Sequence, residues 1–164
     1  VGKARIHGVE LGTDFALAPR VRAGLNWTFL TSSIKSGVNK GQPLRSTPKQ
    51  AVNLKLDWTP TDATDIWLNA QYRSGMYRSH QEAGLASTYH PFTVLNMGIT
   101  HKWKDGLSVQ FAVNNLLNRN FDRTSTAANG TTYSSYYDDL DADGIAGGSY
   151  MSRRSYWLGL TYDF

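Results

Sequence analysis

Cysteine is absent from the 164 residues, which excludes a disulfide-stapled scaffold, a thiol nucleophile and a Cys-ligated zinc site. Charge is sparse: 18% of residues are Asp, Glu, Lys or Arg, against roughly 25% in ordinary soluble domains. The net charge of +4 comes without any lysine or arginine run, so no basic stripe for nucleic acid is present. Long apolar runs are missing as well. Mean hydropathy is −0.43, and no stretch approaches the ~20 apolar residues of a membrane helix. No apolar leader opens the chain at Val1-Gly2-Lys3-Ala4-Arg5. No nucleophile elbow or ordered triad occurs, so nothing argues for an enzyme. Disorder is excluded by 12% aromatics and by periodic apolar stretches.

A period of two organises what is there. Val9, Leu11, Thr13, Phe15 and Leu17 share one parity, with Glu10, Gly12, Asp14 and Ala16 on the other. Val21 to Phe29 repeats the pattern on odd positions, and Val52 to Trp58 on even ones. Ile66 to Tyr72, Leu95 to Trp103, Leu107 to Val113 and Tyr156 to Phe164 follow. About seven strands result, each with an apolar and a polar face.

Strand length decides the class. Soluble strands run ~5–6 residues, whereas a tilted membrane-spanning strand needs roughly 9–11. Most of these segments extend that far. Their connections alternate between short turns (18–20, 59–65, 104–106) and long polar loops (about 36–48, 75–91 and 118–150). Outer-membrane barrels have short periplasmic turns and longer extracellular loops. Phe15, Trp58, Trp103, Tyr162 and Phe164 lie near the short turns or the C-terminus, where an interfacial aromatic girdle belongs. Glu10, Asp14, Arg22, Asn26, Lys55, Asp57, Gln71 and Arg73 fall on the opposite faces; no sandwich core buries such a set unpaired. The pattern predicts an all-β, antiparallel transmembrane β-barrel, apolar faces to lipid and polar faces to a wet lumen. An odd strand count puts the two chain ends on opposite sides of the membrane. The expectation is therefore that residues 1–164 are the C-terminal section of a larger barrel, since closed single-chain barrels have even strand numbers.

Several stretches carry a resemblance. Tyr156-Trp-Leu-Gly-Leu-Thr-Tyr-Asp-Phe164 looks like the C-terminal strand that barrel-assembly machinery recognises. Val113-Asn-Asn-Leu-Leu-Asn-Arg-Asn-Phe121 is similar to the penultimate-strand motif of TonB-dependent receptors, with Leu117-Asn118 where Phe-Asp is usual. Ile6-His-Gly-Val-Glu10 resembles their "G-x-E" strand start. Gly41-Gln-Pro-Leu-Arg-Ser-Thr-Pro48 followed by Asn53-Leu-Lys-Leu-Asp-Trp58 resembles a stretch of the ferric-enterobactin type. The resemblance implies the last seven strands and last three extracellular loops of a barrel of about 22 strands. It further implies the bacterial outer membrane, import of a ferric siderophore, and energy from TonB through an N-terminal region and plug absent from this sequence. The alternative is a complete small barrel of eight strands, structural or adhesive, with one strand hidden in 118–150.

A ferric tris-catecholate is a large anion with aromatic faces, so its capture calls for cations and rings together. The loops offer Lys40 and Arg45; Tyr77, Arg78, His80 and Tyr89; and Arg123, Tyr133, Tyr136 and Tyr137. Arg73, on the lumen parity near a strand top, points toward the same space. The ligand-binding expectation is Arg73, Arg78, Tyr77, Arg45, Arg123, Tyr133 and Tyr136, with no catalytic residue, metal or cofactor. Asp139-Leu-Asp141-Ala-Asp143-Gly144 matches the first half of a calcium loop, but position twelve would be Tyr150 rather than glutamate. An acidic, solvated loop tip is the expectation there. His80 and His90 stand ten residues apart, which is no metal-pair spacing.

Overall fold

The computed structural model describes residues 2–78, 86–121, 123–136 and 153–163. Alternation becomes strand throughout: β1 (Ala4–Ala18), β2 (Val21–Ile34), β3 (Gln50–Thr61), β4 (Thr64–Arg73), β5 (Phe92–Lys102) and β6 (Leu107–Asn114). Two short strands, β7 (Thr124–Thr126) and β8 (Thr132–Ser134), precede β9 (Ser155–Tyr162). One seven-stranded antiparallel sheet runs β1-β2-β3-β4-β5-β6-β9. β7 and β8 pair only with each other, so 118–150 supplies no eighth strand to the sheet among the described residues.

Register brings the separate parities onto one face. Phe15, Ala23, Leu56, Leu68, Met97, Val113 and Tyr156 are successive cross-strand partners through all seven strands. Asp14, Gly24, Lys55, Asn69 and Asn96 form a row on the other face. That row structure follows from the period of two, because a slip of one residue would invert a whole strand. The apolar row also climbs. Phe15 lies close to the turn end of β1, whereas Tyr156 is second in β9, next to the long loop. Such a stagger is what tilted strands in a barrel wall produce.

The sheet has no core of its own. Val9, Leu54, Leu158 and Leu160 are 50–68% exposed, and among the described residues no second layer covers them. Buried apolar residues are instead Met76, Tyr89, Phe121, Ala127 and Tyr133, all outside the sheet at its loop end, and Val113. A water-soluble sheet must bury one face against another element; this one leaves that face to lipid.

Two boundaries differ from the sequence reading. The expected turn at 59–65 shrinks to 62–63, because Thr59 and Pro60 stay in β3. The register is irregular between Trp58 and Thr61, so the missing Pro60 N–H falls where no ladder bond requires it. Residues 118–136 are less loop-like than expected, since they hold the β7–β8 hairpin. Its turn is closed by a hydrogen bond from Gly130 N to Ala127 O at 2.9 Å, with Gly130 at φ 86°. The acidic half-motif 139–144 lies outside the described residues, as do His80, Tyr137 and Phe164.

Candidate functional site

All three long connections leave the same end of the sheet, and their side chains interlock there. Loop 1 (35–49) folds back along β2: Ile34 N donates to Gln42 O, and Leu44 N donates to Ser32 Oγ. Loop 2 (74–91) is a narrow hairpin-like excursion held by the Tyr77–Thr88 bridge and by Tyr89 N donating to Met76 O. An extended backbone sends successive side chains to opposite sides. Tyr77 accordingly reaches loop 1, its hydroxyl donating to Gln42 Oε1 at 2.7 Å. Arg78 reaches the other way, its Nη2 donating to Ser134 O of β8 at 2.6 Å.

The third loop (115–154) starts from a built turn. Asn115 is 3% exposed and takes φ 50°. Its side chain brackets the turn: Nδ2 donates to Arg119 O, and Oδ1 accepts from Arg119 N. Its own N–H donates to Asn96 Oδ1 on β5. Asn118, also at φ 50°, accepts from Arg154 N, and Arg154 Nη2 donates to Leu116 O. The two ends of loop 3 are thus tied by the stretch that carried the family resemblance. Asparagine serves here because its short polar side chain tolerates the left-handed region and bonds locally.

Between loops 2 and 3 lies a pocket of ≈400 Å³, walled by Tyr72, Phe92, Arg119, Phe121, Arg123 and Tyr136 among others. The rings interlock edge to face: Phe121 with Tyr136 at 5.3 Å, and Phe92 with Phe121 at 6.0 Å. The guanidinium groups of Arg119 and Arg123 have no partner among the described residues. A second recess of ≈320 Å³ lies between loops 1 and 2, lined by Ile34, Gln42, Arg45 and Tyr77 among others.

The sequence-predicted residues therefore separate into groups. Arg123 and Tyr136 share the larger pocket and Arg45 and Tyr77 the smaller one. Arg73 sits at the strand top between them, its Nη1 donating to Tyr72 O, Asn53 Oδ1 and Val52 O. Arg78 and Tyr133 are only 2% and 6% exposed; Arg78 lies over the Tyr89 ring, 4.3 Å from its centroid. Sequence reasoning missed Arg119, Phe121 and Phe92 as pocket walls. Arg119 and Arg123 flanking Phe121 was an available signal, but Phe92 comes from β5 and only tertiary structure brings it near. Among the described residues no group of three His, Asp or Glu is placed to hold a metal ion.

The family described as "TonB dependent receptor-like, beta-barrel" matches residues 1–116. The chain belongs to that family. It is a section of a bacterial outer-membrane barrel, which accounts for the staggered sheet and its uncovered apolar face. It is 27% identical over its whole length to the iron-regulated outer membrane virulence protein of Vibrio cholerae, covering 22% of that protein. It is 28% identical over 134 residues to the ferric enterobactin receptor of Pseudomonas aeruginosa, covering 77% of this chain and 18% of that receptor. The chain thus spans about a fifth of these relatives' length. Among solved structures, the ferric-catecholate import receptor Fiu of E. coli, closed form, superposes with a TM-score of 0.71 at 20% identity. The match covers 99% of this chain and 21% of that one. The copper transporter OprC superposes at 0.66 with 14% identity, over 98% of this chain and 24% of that one. This barrel fold accommodates differently named cargoes, so the cargo has to be argued from the loops.

Proposed function

We propose that residues 1–164 are the C-terminal section of an outer-membrane receptor that captures and imports a ferric siderophore of the catecholate class. About seven of some 22 strands would lie here. Energy would come from TonB through the region N-terminal to this section, and β9 would be the strand read by the assembly machinery. Import, TonB coupling and the absence of enzymatic chemistry rest on family membership. The chelate class rests on the rim. Its carrying observation is the loop 2–loop 3 pocket, where two guanidiniums without a partner among the described residues stand beside interlocked aromatic rings. A tris-catecholate presents anionic oxygens and flat ring faces, and that wall complements both. Arg73, Arg45 and Tyr77 extend the cationic and phenolic surface toward loop 1. Arg78 and Tyr133, being buried, stand behind this surface.

The test uses the full-length receptor, titrated with an iron(III) tris-catecholate while its intrinsic fluorescence is followed. Arg119→Ala with Arg123→Ala should weaken binding by about 1–3 kcal/mol, the range for lost charge-assisted contacts. An unchanged Kd in a correctly folded double variant would remove this pocket from the capture surface.

A further inference from the structure

Arg78 is the most deeply buried of the polar and charged residues singled out by exposure, at 2%. It sits where loops 2 and 3 of the rim meet. Below it lies Tyr89 of its own loop, with the guanidinium carbon 4.3 Å from the ring centroid. Ahead of it lies β8, where Ser134 O accepts from Nη2. Its backbone N–H is committed as well, donating to Ser87 O across loop 2. Nε and Nη1 are buried with no partner among the described residues.

A charge is buried at a cost that its contacts must offset, and here the contacts are one short hydrogen bond and one ring face. The hydrogen bond exists only while β7–β8 is docked on loop 2, and the Tyr89 ring of the same loop holds the guanidinium in place to make it. Adjacent contacts run in the same direction: His90 N donates to Ser135 O at 2.9 Å, and the His90 and Tyr136 rings lie 5.6 Å apart. Meanwhile Tyr77, the preceding residue, ties the same segment to Gln42 of loop 1. Two consecutive side chains therefore bind loop 2 to both of its neighbours.

We propose that Arg78 is a positioning residue. From its place between Tyr89 and Ser134 it holds loop 2 and the β7–β8 hairpin as one body, and so sets the spacing of Arg119, Arg123 and Tyr136 against the β4 and β5 strand tops. Arg78 touches no ligand in this scheme. Its effect on capture, which rests on the siderophore reading above, passes through the pocket it assembles.

Two spin labels on the full-length receptor test the docking itself, without any ligand. Ser87→Cys on loop 2 and Ala128→Cys in the hairpin turn are both exposed positions, and this section adds no native cysteine; any cysteine elsewhere would first be replaced. With Arg78 in place the inter-label distance should be single and narrow. Arg78→Ala should broaden it, Tyr89→Leu should do the same by removing the ring under the charge, and Arg78→Lys should restore much of the narrow peak. A distribution unchanged by both Arg78→Ala and Tyr89→Leu overturns the proposal, whatever happens to binding. The second arm compares two iron(III) chelates of different net charge, a tris-catecholate and a citrate. Loss of assembly should lower the affinity of every chelate that binds by the same factor, and Arg78→Lys should recover it. A loss that grows with chelate charge while the distance stays narrow would make Arg78 a direct contact and overturn the positioning role. If neither chelate binds even the wild type, the siderophore reading fails while the distance arm still decides the docking.

Discussion

Asn115 and Asn118 stand at φ 50°, a conformation that costs most side chains energy. Asn115 offsets that cost with three hydrogen bonds, to Asn96 and to both backbone groups of Arg119. The resulting turn delivers Arg119 and Phe121 to the pocket. Asn115→Ala should lose the side-chain bonds and retain the strained backbone, destabilising the folded receptor by about 1–3 kcal/mol. Asn115→Gly, which relieves the backbone alone, should fall between. Urea unfolding of the full-length receptor in vesicles measures both; an alanine variant as stable as wild type would show that the turn is held by something else. The asparagine-rich stretch was legible as a family motif, but its work was not. Sequence shows four asparagines in a stretch of nine residues; only the structure shows that Asn115 turns the chain after β6 and that Asn118 holds Arg154.

At the scale of the strand, alternation assigns each residue to a medium. The odd positions of β2 and the even positions of β3 form continuous apolar rows with Leu68, Met97 and Val113. Leu56→Arg should therefore cost roughly 2–4 kcal/mol near the bilayer midplane, and Leu160→Arg likewise, whereas Asn53→Arg on the lumen face should be tolerated. Equal costs at Leu56 and Asn53, measured by reversible folding into vesicles, would refute the lipid assignment. Trp67 is an exception that alternation alone misreads. It lies on the polar parity, with Gly98 as its β5 partner. A Cβ on Gly98 would come within 2.6 Å of the Trp67 ring. The ring is thus laid flat over a glycine, and covers backbone that no side chain shields. That pairing lies 31 residues apart in sequence and is set by register.

Across the whole molecule, sidedness follows from chain length between strands. Each short turn leaves one end of the sheet and each long loop leaves the other, and among the described residues most of the buried side chains lie in the loops. A thiol-reactive, membrane-impermeant label should reach Asn129→Cys, in the β7–β8 turn, on intact cells. Asp62→Cys and Asp105→Cys, in the short turns, should react only after the outer membrane is opened. Labelling of the short turns on intact cells would invert the topology. The sheet as described ends at β1 and β9, each paired on one side only. Unpaired backbone is costly inside a bilayer, so further strands or a neighbouring edge must cover both.

The sequence by itself determined the strands, their two faces, the membrane they suit and the end at which the loops gather. All of these follow from a period of two and from connection length, which are local properties of the chain. Tertiary structure decided which loop residues meet. Arg78 and Arg123 looked alike as loop cations, yet one is buried between two loops and the other stands at a pocket mouth. That difference depends on contacts 56 residues apart, between Arg78 and Ser134, and no periodicity encodes such a contact. The climb of the apolar row from Phe15 to Tyr156 was likewise decided by pairing, because stagger is a relation between strands and not a property of any one of them.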